Sequence, residues 1–281
     1  MRLLQLSAAL TIVLAAVPVR AQSAPVGVRA AGMGDAFTAV ADDATATYWN
    51  PAGLASGAWF GLAVDANVLD RHAGEFIGFA TPPFGISYFR TSSSTAEGEN
   101  GRNGAVGRFV VHHAGATVVQ SIGDSGLAVG TTLGIVHGNG ATAFAADAGV
   151  MLAGALGKIG LVAHNLTAPD LGGVRLDRQV RAGLSVHARD DLTLAADVDL
   201  TSTATAAGSV REVAVGAESH PQAKVWVRSG VHWQTGGGSA APIGTVGGSL
   251  AVYGSLRADA QVSFGSKEGD RGWGVGLSFV Y

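Results

Sequence analysis

The chain has 281 residues, of which 14% are charged and 42 are glycine, whereas charged residues usually make up about 25% and glycine about 7%. A soluble protein with so little charge would be difficult to keep dispersed, and the lack of cysteine excludes a disulfide scaffold and thiol chemistry. The formal net charge of −3 argues against nucleic-acid binding, which usually needs a basic patch, so no nucleic-acid partner is predicted.

Residues 1–21 are predicted to be a signal peptide. Arg2 supplies the positive start, residues 3–17 are largely apolar, and Val19-Arg20-Ala21 fits a small-residue cleavage site. Cleavage would remove two arginines and no acids, which leaves 16 basic and 21 acidic residues. A retained membrane anchor is the alternative, but the apolar run is too short for a spanning helix. We therefore expect an exported protein.

Residues 22–56 do not alternate between apolar and polar positions, which predicts a compact segment without strands. A short helix is expected over Ala44 to Tyr48, capped by Asp42 or Asp43. The helix should end at Asn50, because a residue before proline is disfavoured in the helical conformation. Tight backbone turns are permitted by the glycines of this segment, Gly32, Gly34 and Gly53.

From residue 59 onward apolar and polar residues alternate with a period of two, which predicts β-strands. Within residues 191–200 the leucines share one face, and Asp197 and Asp199 lie on the other. The 15 candidate strands are 58–69, 73–81, 84–92, 106–113, 115–122, 125–137, 142–154, 157–166, 178–189, 191–200, 210–219, 223–234, 244–254, 256–266 and 271–281. Bacterial single-chain barrels have even strand counts. The split near Ala114-Gly115 is therefore the expected error, and 14 strands remain.

These strands are predicted to form a transmembrane antiparallel β-barrel, an all-β fold whose wall is residues 57–281. After the leader no run of about 18 apolar residues could span as a helix. Closed barrels are the other architecture that satisfies every backbone polar group in lipid. Most loops must be short, with longer tracts at 92–105, 167–177 and 201–209. The localisation expected from this fold is the outer membrane of a Gram-negative cell, with membrane lipid as a partner.

The polar strand faces should line the lumen of such a barrel. The residues predicted to point inward, in oppositely charged cross-strand pairs, are Asp147, Lys158, His164, Arg181, His187, Asp197, Asp199, Glu212, Glu218, Lys224, Arg228, Arg257 and Asp259. A soluble exported β-sandwich would show the same alternation with its faces reversed. Periodicity alone leaves that alternative open.

The last strand has an unusually regular pattern. Its apolar and aromatic positions are Trp273, Val275, Leu277, Phe279 and Tyr281, and the chain ends on the aromatic. This pattern resembles the C-terminal strand by which outer-membrane barrels are recognised for assembly. It therefore predicts the barrel-assembly machinery as a partner.

Residues 29–55, about a tenth of the chain, resemble the N-terminal segment of two related groups of outer-membrane barrels. These groups are the FadL-type fatty-acid transporters and the secretion-associated PorV/PorQ barrels. The resemblance lies in Ala31-Gly32-Met33-Gly34, in residues 36–44 (AFTAVADDA), and in residues 48–54 (YWNPAGL). The residues assigned to a plug motif on this basis are Gly32, Met33, Gly34, Asp42, Asp43, Tyr48, Trp49, Asn50, Pro51 and Ala52.

The resemblance implies that residues 22–56 form a plug, or hatch, inside the barrel. In the FadL-type transporters an Asn-Pro-Ala motif belongs to the plug, and hydrophobic cargo leaves sideways through the wall. This chain lacks the long external loops of the fatty-acid transporters. The compact size favours a PorV/PorQ-like accessory to protein secretion or surface attachment, with secreted proteins as partners. A FadL-like channel for passive uptake of small hydrophobic molecules, such as fatty acids, is the alternative. A fixed plug and a ligand-gated plug are both consistent with the motif.

No catalytic or metal constellation is predicted. His112 and His113 are adjacent, so on a strand they point to opposite faces and cannot chelate one ion. The other histidines lack ligand spacing. No glycine pattern follows a strand and opens a helix in the way a nucleotide site requires. We therefore expect a protein that is not an enzyme and carries no cofactor.

Overall fold

The fold is a closed antiparallel β-barrel of 14 strands. The computed structural model describes residues 26–69, 72–95, 107–205, 208–236, 241–266 and 270–281. The leader predicted at 1–21, residues 22–25, and most of the predicted loop at 92–105 lie outside the described residues. The strands are β1 (Gly61–Leu69), β2 (His72–Thr81), β3 (Phe84–Thr95), β4 (Gly107–Ile122), β5 (Leu127–Gly138), β6 (Ala141–Gly154), β7 (Gly157–His164), β8 (Gln179–Arg189), β9 (Leu192–Asp199), β10 (Thr203–Thr205), β11 (Gly208–Gln222), β12 (Val225–Thr235), β13 (Ile243–Tyr253), β14 (Leu256–Gly265) and β15 (Gly272–Val280).

Each barrel strand pairs with its neighbours along the chain, and β15 pairs with β1 to close the ring. The three-residue strand β10 pairs with β11, which also pairs directly with β9. The short β10 is therefore an extension at the rim, and the closed ring has 14 members, as predicted. Residues 107–122 form one strand, so the expected merger at Ala114-Gly115 is confirmed.

Several predicted strand bounds are wrong for local reasons. The strand predicted to reach residue 166 ends at His164, because Asn165 adopts a positive φ of 54°. The strand predicted to end at residue 219 continues to Gln222 as β11, after a register shift that follows Ser219. As the predicted bounds 73–81 and 84–92 imply, Pro82-Pro83 joins β2 to β3.

The outward positions of the wall are apolar and the inward positions are polar. Ile135, Val262 and Leu277 point outward, and about half of each side chain is exposed. Asp197 and Arg228, predicted to point inward, are 2% exposed. A β-sandwich requires the opposite distribution, with apolar faces in the core, so that alternative is excluded.

The two ends of the barrel differ in the length of their connections. At the end that holds Tyr281, the connections are short, such as Ala155-Leu156 and Gly254-Ser255. At the opposite end lies the longer connection 165–178. Outer-membrane barrels have short periplasmic turns and longer extracellular loops. The end that holds Tyr281 is therefore the periplasmic end.

Within the described residues, no helix has the length and apolar character needed to cross a membrane.

Residues 26–56, hereafter the N-terminal segment, contain three short helices. They are α1 (Val28–Gly32), α2 (Ala46–Trp49) and a 3₁₀ helix (Pro51–Ser56). Sequence patterning predicts no helix at α1. The helix predicted over 44–48 begins two residues later, at Ala46, and no side chain caps its N-terminus. Asp43 instead accepts hydrogen bonds from the backbone N–H and the hydroxyl of Thr45, the residue before the helix. The expected break at Asn50 is present, because its backbone is extended before Pro51.

One extracellular connection folds back into the barrel mouth. In residues 165–178, Leu171 and Leu176 are almost completely buried and pack with Val111 and Val136 on the inner wall. The Asn139 side-chain amide donates to the backbone oxygens of Leu171 and Gly172. This connection therefore narrows the extracellular end of the lumen.

Candidate functional site

The inner wall carries a belt of glycines where the N-terminal segment touches it. A Cβ at any of these positions would press on or overlap with atoms of the segment. At Gly160 the Cβ would lie 2.7 Å from the Thr38 carbonyl oxygen, and at Gly183 it would lie 2.8 Å from the Thr38 Cβ. The glycine belt consists of Gly130, Gly149, Gly160, Gly183, Gly216, Gly230 and Gly247. The absence of side chains on this ring lets the segment approach the wall backbone closely.

Partners within the glycine belt face one another across neighbouring strands. Gly160 lies directly opposite Gly183, and Gly216 lies directly opposite Gly230. Met33 of the segment contacts both Gly216 and Gly230, and Gly34 approaches the Val231 backbone N–H with a positive φ of 64°. The segment is therefore fitted to the wall at β5 to β8 and at β11 to β13.

Arg181 of β8 is the centre of one charged cluster. Its guanidinium forms ion pairs with Asp197 at 3.2 Å, Asp199 at 3.3 Å and Glu212 at 3.0 Å. It also donates to the backbone oxygen of Asp35 in the segment at 2.9 Å. Arg181 thus joins three strands of the wall to the segment.

Asp197 adds a second attachment to the same cluster. One of its carboxylate oxygens accepts hydrogen bonds from the backbone N–H groups of Phe37 and Thr38, at 3.0 and 2.8 Å. The side chain is completely buried. A carboxylate that accepts backbone N–H bonds forms strong, charge-assisted contacts. The sequence identified Arg181 and Asp197 as lumen residues but not as partners of the segment.

Arg29 is the centre of a second cluster, which includes another acid of β11 and lies nearer the periplasmic end of that strand than the Arg181 cluster. Its guanidinium contacts Asp43 at 2.9 Å and pairs with Asp42 in the segment, and it binds Glu218 of β11 at 2.7 Å. Glu218 also pairs with Arg228 of β12. The two acids of the predicted motif are therefore joined to the wall through Arg29, which sequence reasoning did not single out.

Uncharged hydrogen bonds complete the attachment. The Asn50 side-chain amide donates to the backbone oxygens of Thr38 and Val150 and accepts from the Ala52 N–H. On the wall side, the hydroxyls of Thr132, Ser185 and Thr245 donate to segment carbonyls at 2.9, 3.0 and 3.1 Å. Asn50 thus fixes the turn before Pro51 and bonds the wall at the same time.

Aromatic side chains connect the segment to the lumen wall on the extracellular side. The Tyr48 ring stacks on His164 at 5.3 Å and meets Phe89 edge to face at 5.2 Å. Phe89 in turn stacks on His113 at 4.1 Å. Trp49 lies beside Tyr48, and its indole N–H donates to the Val26 carbonyl. The top of the segment therefore presents an aromatic surface toward the extracellular side.

The surroundings of three groups in the segment shift their pKa values. Burial raises the pKa of Asp35 above its usual value, although His232, 3.9 Å away, acts in the opposite direction. Burial also raises the pKa of the Tyr48 hydroxyl. For Arg29, burial acts against the charge, but Asp42 and Glu218 hold the pKa well above its usual value. The Arg29 ion pairs therefore persist across the physiological pH range.

A cavity of about 290 Å³ remains between the segment and the wall near the periplasmic end. Arg29, Asp65, Glu218 and other charged side chains line it. Arg257 also lines the cavity and stacks over the Trp226 ring at 4.0 Å. Apart from this space, the hydrophobic side chains of the segment pack into a core with small wall residues.

The structure brings the predicted motif residues together inside the barrel. Gly32, Met33 and Gly34 lie against β11 to β13, whereas Asn50, Pro51 and Ala52 lie against β5 and β6. The predicted assembly residues lie elsewhere. Trp273, Val275 and Leu277 point outward on β15, Phe279 packs on Phe60, and Tyr281 exchanges two backbone hydrogen bonds with Phe60. Their role in assembly stays a prediction.

Metal-ligating side chains do not gather in the described part of the chain, where no group of three could hold an ion. His112 and His113 do point to opposite faces, because His112 bonds the outward Tyr88 and His113 stacks on the inward Phe89.

Several solved structures resemble this barrel over nearly its whole length, and two of those described here are named as a channel or transporter for aromatic hydrocarbons. The CymD monoaromatic hydrocarbon channel superposes with a TM-score of 0.67 at 13% identity, covering 91% of this chain and 97% of that one. The Pseudomonas putida toluene transporter TodX gives 0.65 at 12% identity, covering 92% of this chain and 97% of that one. A Pseudomonas aeruginosa FadL homologue gives 0.60 at 11% identity, covering 91% and 98%.

The chain has the fold of the FadL-type channels. Its apolar outer face and even strand count are those of barrels that span outer membranes, and the protein is an outer-membrane barrel. No protein-family profile and no curated protein matches the chain. The FadL side of the predicted resemblance is thus supported by the fold, and the PorV/PorQ side receives no support.

Proposed function

We propose that the protein is a FadL-like channel for passive uptake of small hydrophobic molecules. The observation that carries the proposal is the fit between the N-terminal segment and the glycine belt. A segment that fills the lumen is incompatible with an open aqueous pore. It suits a route for molecules that partition into apolar surroundings.

The way the segment is packed and bonded to the wall supports the same conclusion. Phe37, Met33 and Leu54 of the segment are buried, and the segment is bonded to both the Arg181 and the Arg29 clusters. We propose that the segment is a plug that blocks ions and polar solutes. The similar structures named as channels for monoaromatic hydrocarbons and toluene support hydrophobic cargo of that size.

The plug is tested by deleting residues 30–52 and measuring single-channel conductance in planar bilayers. We expect conductance to rise, because the deletion removes Met33, Phe37 and Asn50 from the lumen while leaving the wall intact. Heat-modifiable migration on a gel would report that the deleted form still folds. Unchanged conductance in a folded deletion would contradict the lumen-blocking role.

The cargo is tested with the intact protein. Cells that express it should accumulate labelled toluene faster than matched cells without it, while uptake of a charged analogue such as benzoate stays the same. Equal toluene uptake in both cell types would contradict the channel. The secretion-accessory role stays a prediction, and a secreted protein that co-purifies with the detergent-extracted barrel would favour it.

A further inference from the structure

Ionisable side chains on the outer face of the wall are concentrated in one place. Among the described strand residues, five of the outward ionisable positions lie on the neighbouring strands β2 to β5. They are Glu75, Arg90, Arg108, His112 and His137. Two others stand alone, Arg211 on β11 and Arg189 at the periplasmic end of β8. Most of the other outward positions on the described strands are apolar or small, so this patch is a local feature.

Four of these residues form a single cross-strand row. Glu75 lies directly opposite Arg90, Arg90 opposite His112, and His112 opposite His137. Thr142 of β6 continues the row opposite His137. Neighbouring strands are about 4.8 Å apart, so five members extend over about 20 Å. We call this row, together with Arg108 and Tyr88, the outer polar row.

Contacts to the described residues occupy only part of the donors of the outer polar row. Arg90 donates to Glu75 at 3.1 Å, and Arg108 donates to the Ser92 hydroxyl at 3.3 Å. Each guanidinium offers five N–H donors, and each makes one hydrogen bond to the described residues. Tyr88 bonds His112 at 2.8 Å and His137 bonds Thr142 at 2.7 Å, which holds the rings in the row.

The row lies toward the extracellular ends of its strands. His137 and Thr142 are each one residue from the β5–β6 turn, Arg108 is the second residue of β4, and Glu75 is three residues into β2. An arginine on the lipid face costs about 2–4 kcal/mol at the bilayer midplane and about 0–1 kcal/mol near the interface. The outer polar row therefore suits the level of the lipid headgroups.

We propose that the outer polar row binds the phosphorylated headgroup of lipopolysaccharide in the outer leaflet. The two arginines outnumber the single carboxylate, and a guanidinium fork matches the oxygens of a phosphate. The hydroxyl and imidazole groups between them suit the sugar hydroxyls of a glycolipid. Arg90 and Arg108 are four register positions apart on neighbouring strands, about 14 Å, so each can meet a separate phosphate of a headgroup that carries two.

The test uses the full-length protein in detergent and native mass spectrometry. Diphosphoryl lipid A should remain bound about tenfold more strongly than lipid A stripped of both phosphates, because charge-assisted hydrogen bonds would be lost. It should also bind about tenfold more strongly than phosphatidylglycerol. Equal retention of the three lipids would overturn the proposal, and stronger retention of phosphatidylglycerol would assign the row to phospholipid.

Variants assign the binding to the row. The double variant Arg90→Gln, Arg108→Gln should lose about tenfold in lipid A affinity. Arg211→Gln is the matched control, because Arg211 is also an exposed outward arginine near an extracellular strand end, and it should bind as the parent does. Heat-modifiable migration verifies folding of each variant. Equal loss in Arg211→Gln, or no loss in the double variant, would contradict the assignment.

Discussion

Gly149 shows how a single missing side chain shapes the lumen. It faces inward on β6, and a Cβ there would overlap the Asn50 side-chain oxygen and lie 3.0 Å from the Pro51 ring. The motif at Asn50 to Ala52 can occupy its place because the wall has no side chain at this point. Glycine on the wall and proline on the segment are two parts of one contact.

We predict that Gly149→Val displaces the Asn50–Pro51 turn and raises single-channel conductance. Overpacking of this kind costs about 1–3 kcal/mol, which weakens the attachment of the segment. Gly154→Val is the matched control on the same strand. A Cβ at Gly154 would meet only the Gly157 oxygen, at 3.7 Å. Similar conductance in the two variants would argue against contact-specific displacement.

We predict that Asp35 makes the attachment of the segment dependent on pH. Its carboxyl is buried between His232, Arg181, Glu212 and Asp197, and burial raises its pKa. The attached segment therefore holds the Asp35 proton to a higher pH than a released segment does. Between the pKa of the released segment and that of the attached segment, the attached state binds more protons. Attachment therefore becomes less favourable as pH rises above about 4.

Asp35→Asn should remove this part of the pH dependence, because an amide does not titrate. Asparagine also tolerates the positive φ of 64° at this position. The measurement is hydrogen exchange of residues 26–56 between pH 4 and pH 8, corrected for intrinsic exchange rates. Protection in the parent should decline with pH more steeply than in the variant. Parallel declines would show that Asp35 does not contribute.

The strands were the most predictable elements, and β4 shows why. Alternation identified both halves of β4, while Gly115 at its centre resembled a break in the pattern. The even strand count required of barrels resolved the choice, because fifteen candidates could not all be separate. Helix α1 was not predictable in the same way. It has five residues and no side-chain cap, so its conformation depends on packing against β12 to β15.

The site was predictable in part. The resemblance identified the Asn50-Pro51-Ala52 turn and the Gly32 to Gly34 turn. The alternation of apolar and polar positions along the strands placed Arg181 and Asp197 on the lumen side of the wall. Sequence patterning did not join these two sets, because Asp197 bonds Phe37 and Thr38 across about 160 residues of chain. One usable signal was overlooked. The belt glycines recur at inward positions in the middle of strands, where turns do not explain them.

At the scale of the whole molecule, the barrel is closed by one seam between β1 and β15. Nine residue pairs join these strands, and beyond them Phe60 and Tyr281 exchange hydrogen bonds of 3.0 and 2.9 Å. The Tyr281 side chain is 78% exposed, so its ring contributes little to packing in the wall. The Tyr281 ring is therefore not required for the packing of the wall, and its recognition by the assembly machinery stays a prediction.

We predict that Tyr281→Ala lowers the yield of folded barrel in cells but not the yield of refolding in detergent. The variant keeps both backbone bonds of the seam and loses the ring that the assembly machinery would recognise. Deletion of Tyr281 removes the backbone bonds as well and should lower both yields. Heat-modifiable migration measures the folded fraction. A normal yield of Tyr281→Ala in cells would show that the aromatic is dispensable.

The glycine belt also determines which wall surface would be exposed by a displacement of the segment from the lumen. Five of the eight wall residues in the shared core are alanines, whereas the segment contributes Met33, Phe37, Trp49 and Leu54. A vacated wall would present mainly hydrogen-bonded backbone and small groups, which water solvates at little cost. The displaced segment would present its large apolar side chains to water. In the channel proposed above, opening would therefore be costly without cargo and cheaper when an apolar molecule covers those side chains, so the cargo itself would lower the barrier to its own passage.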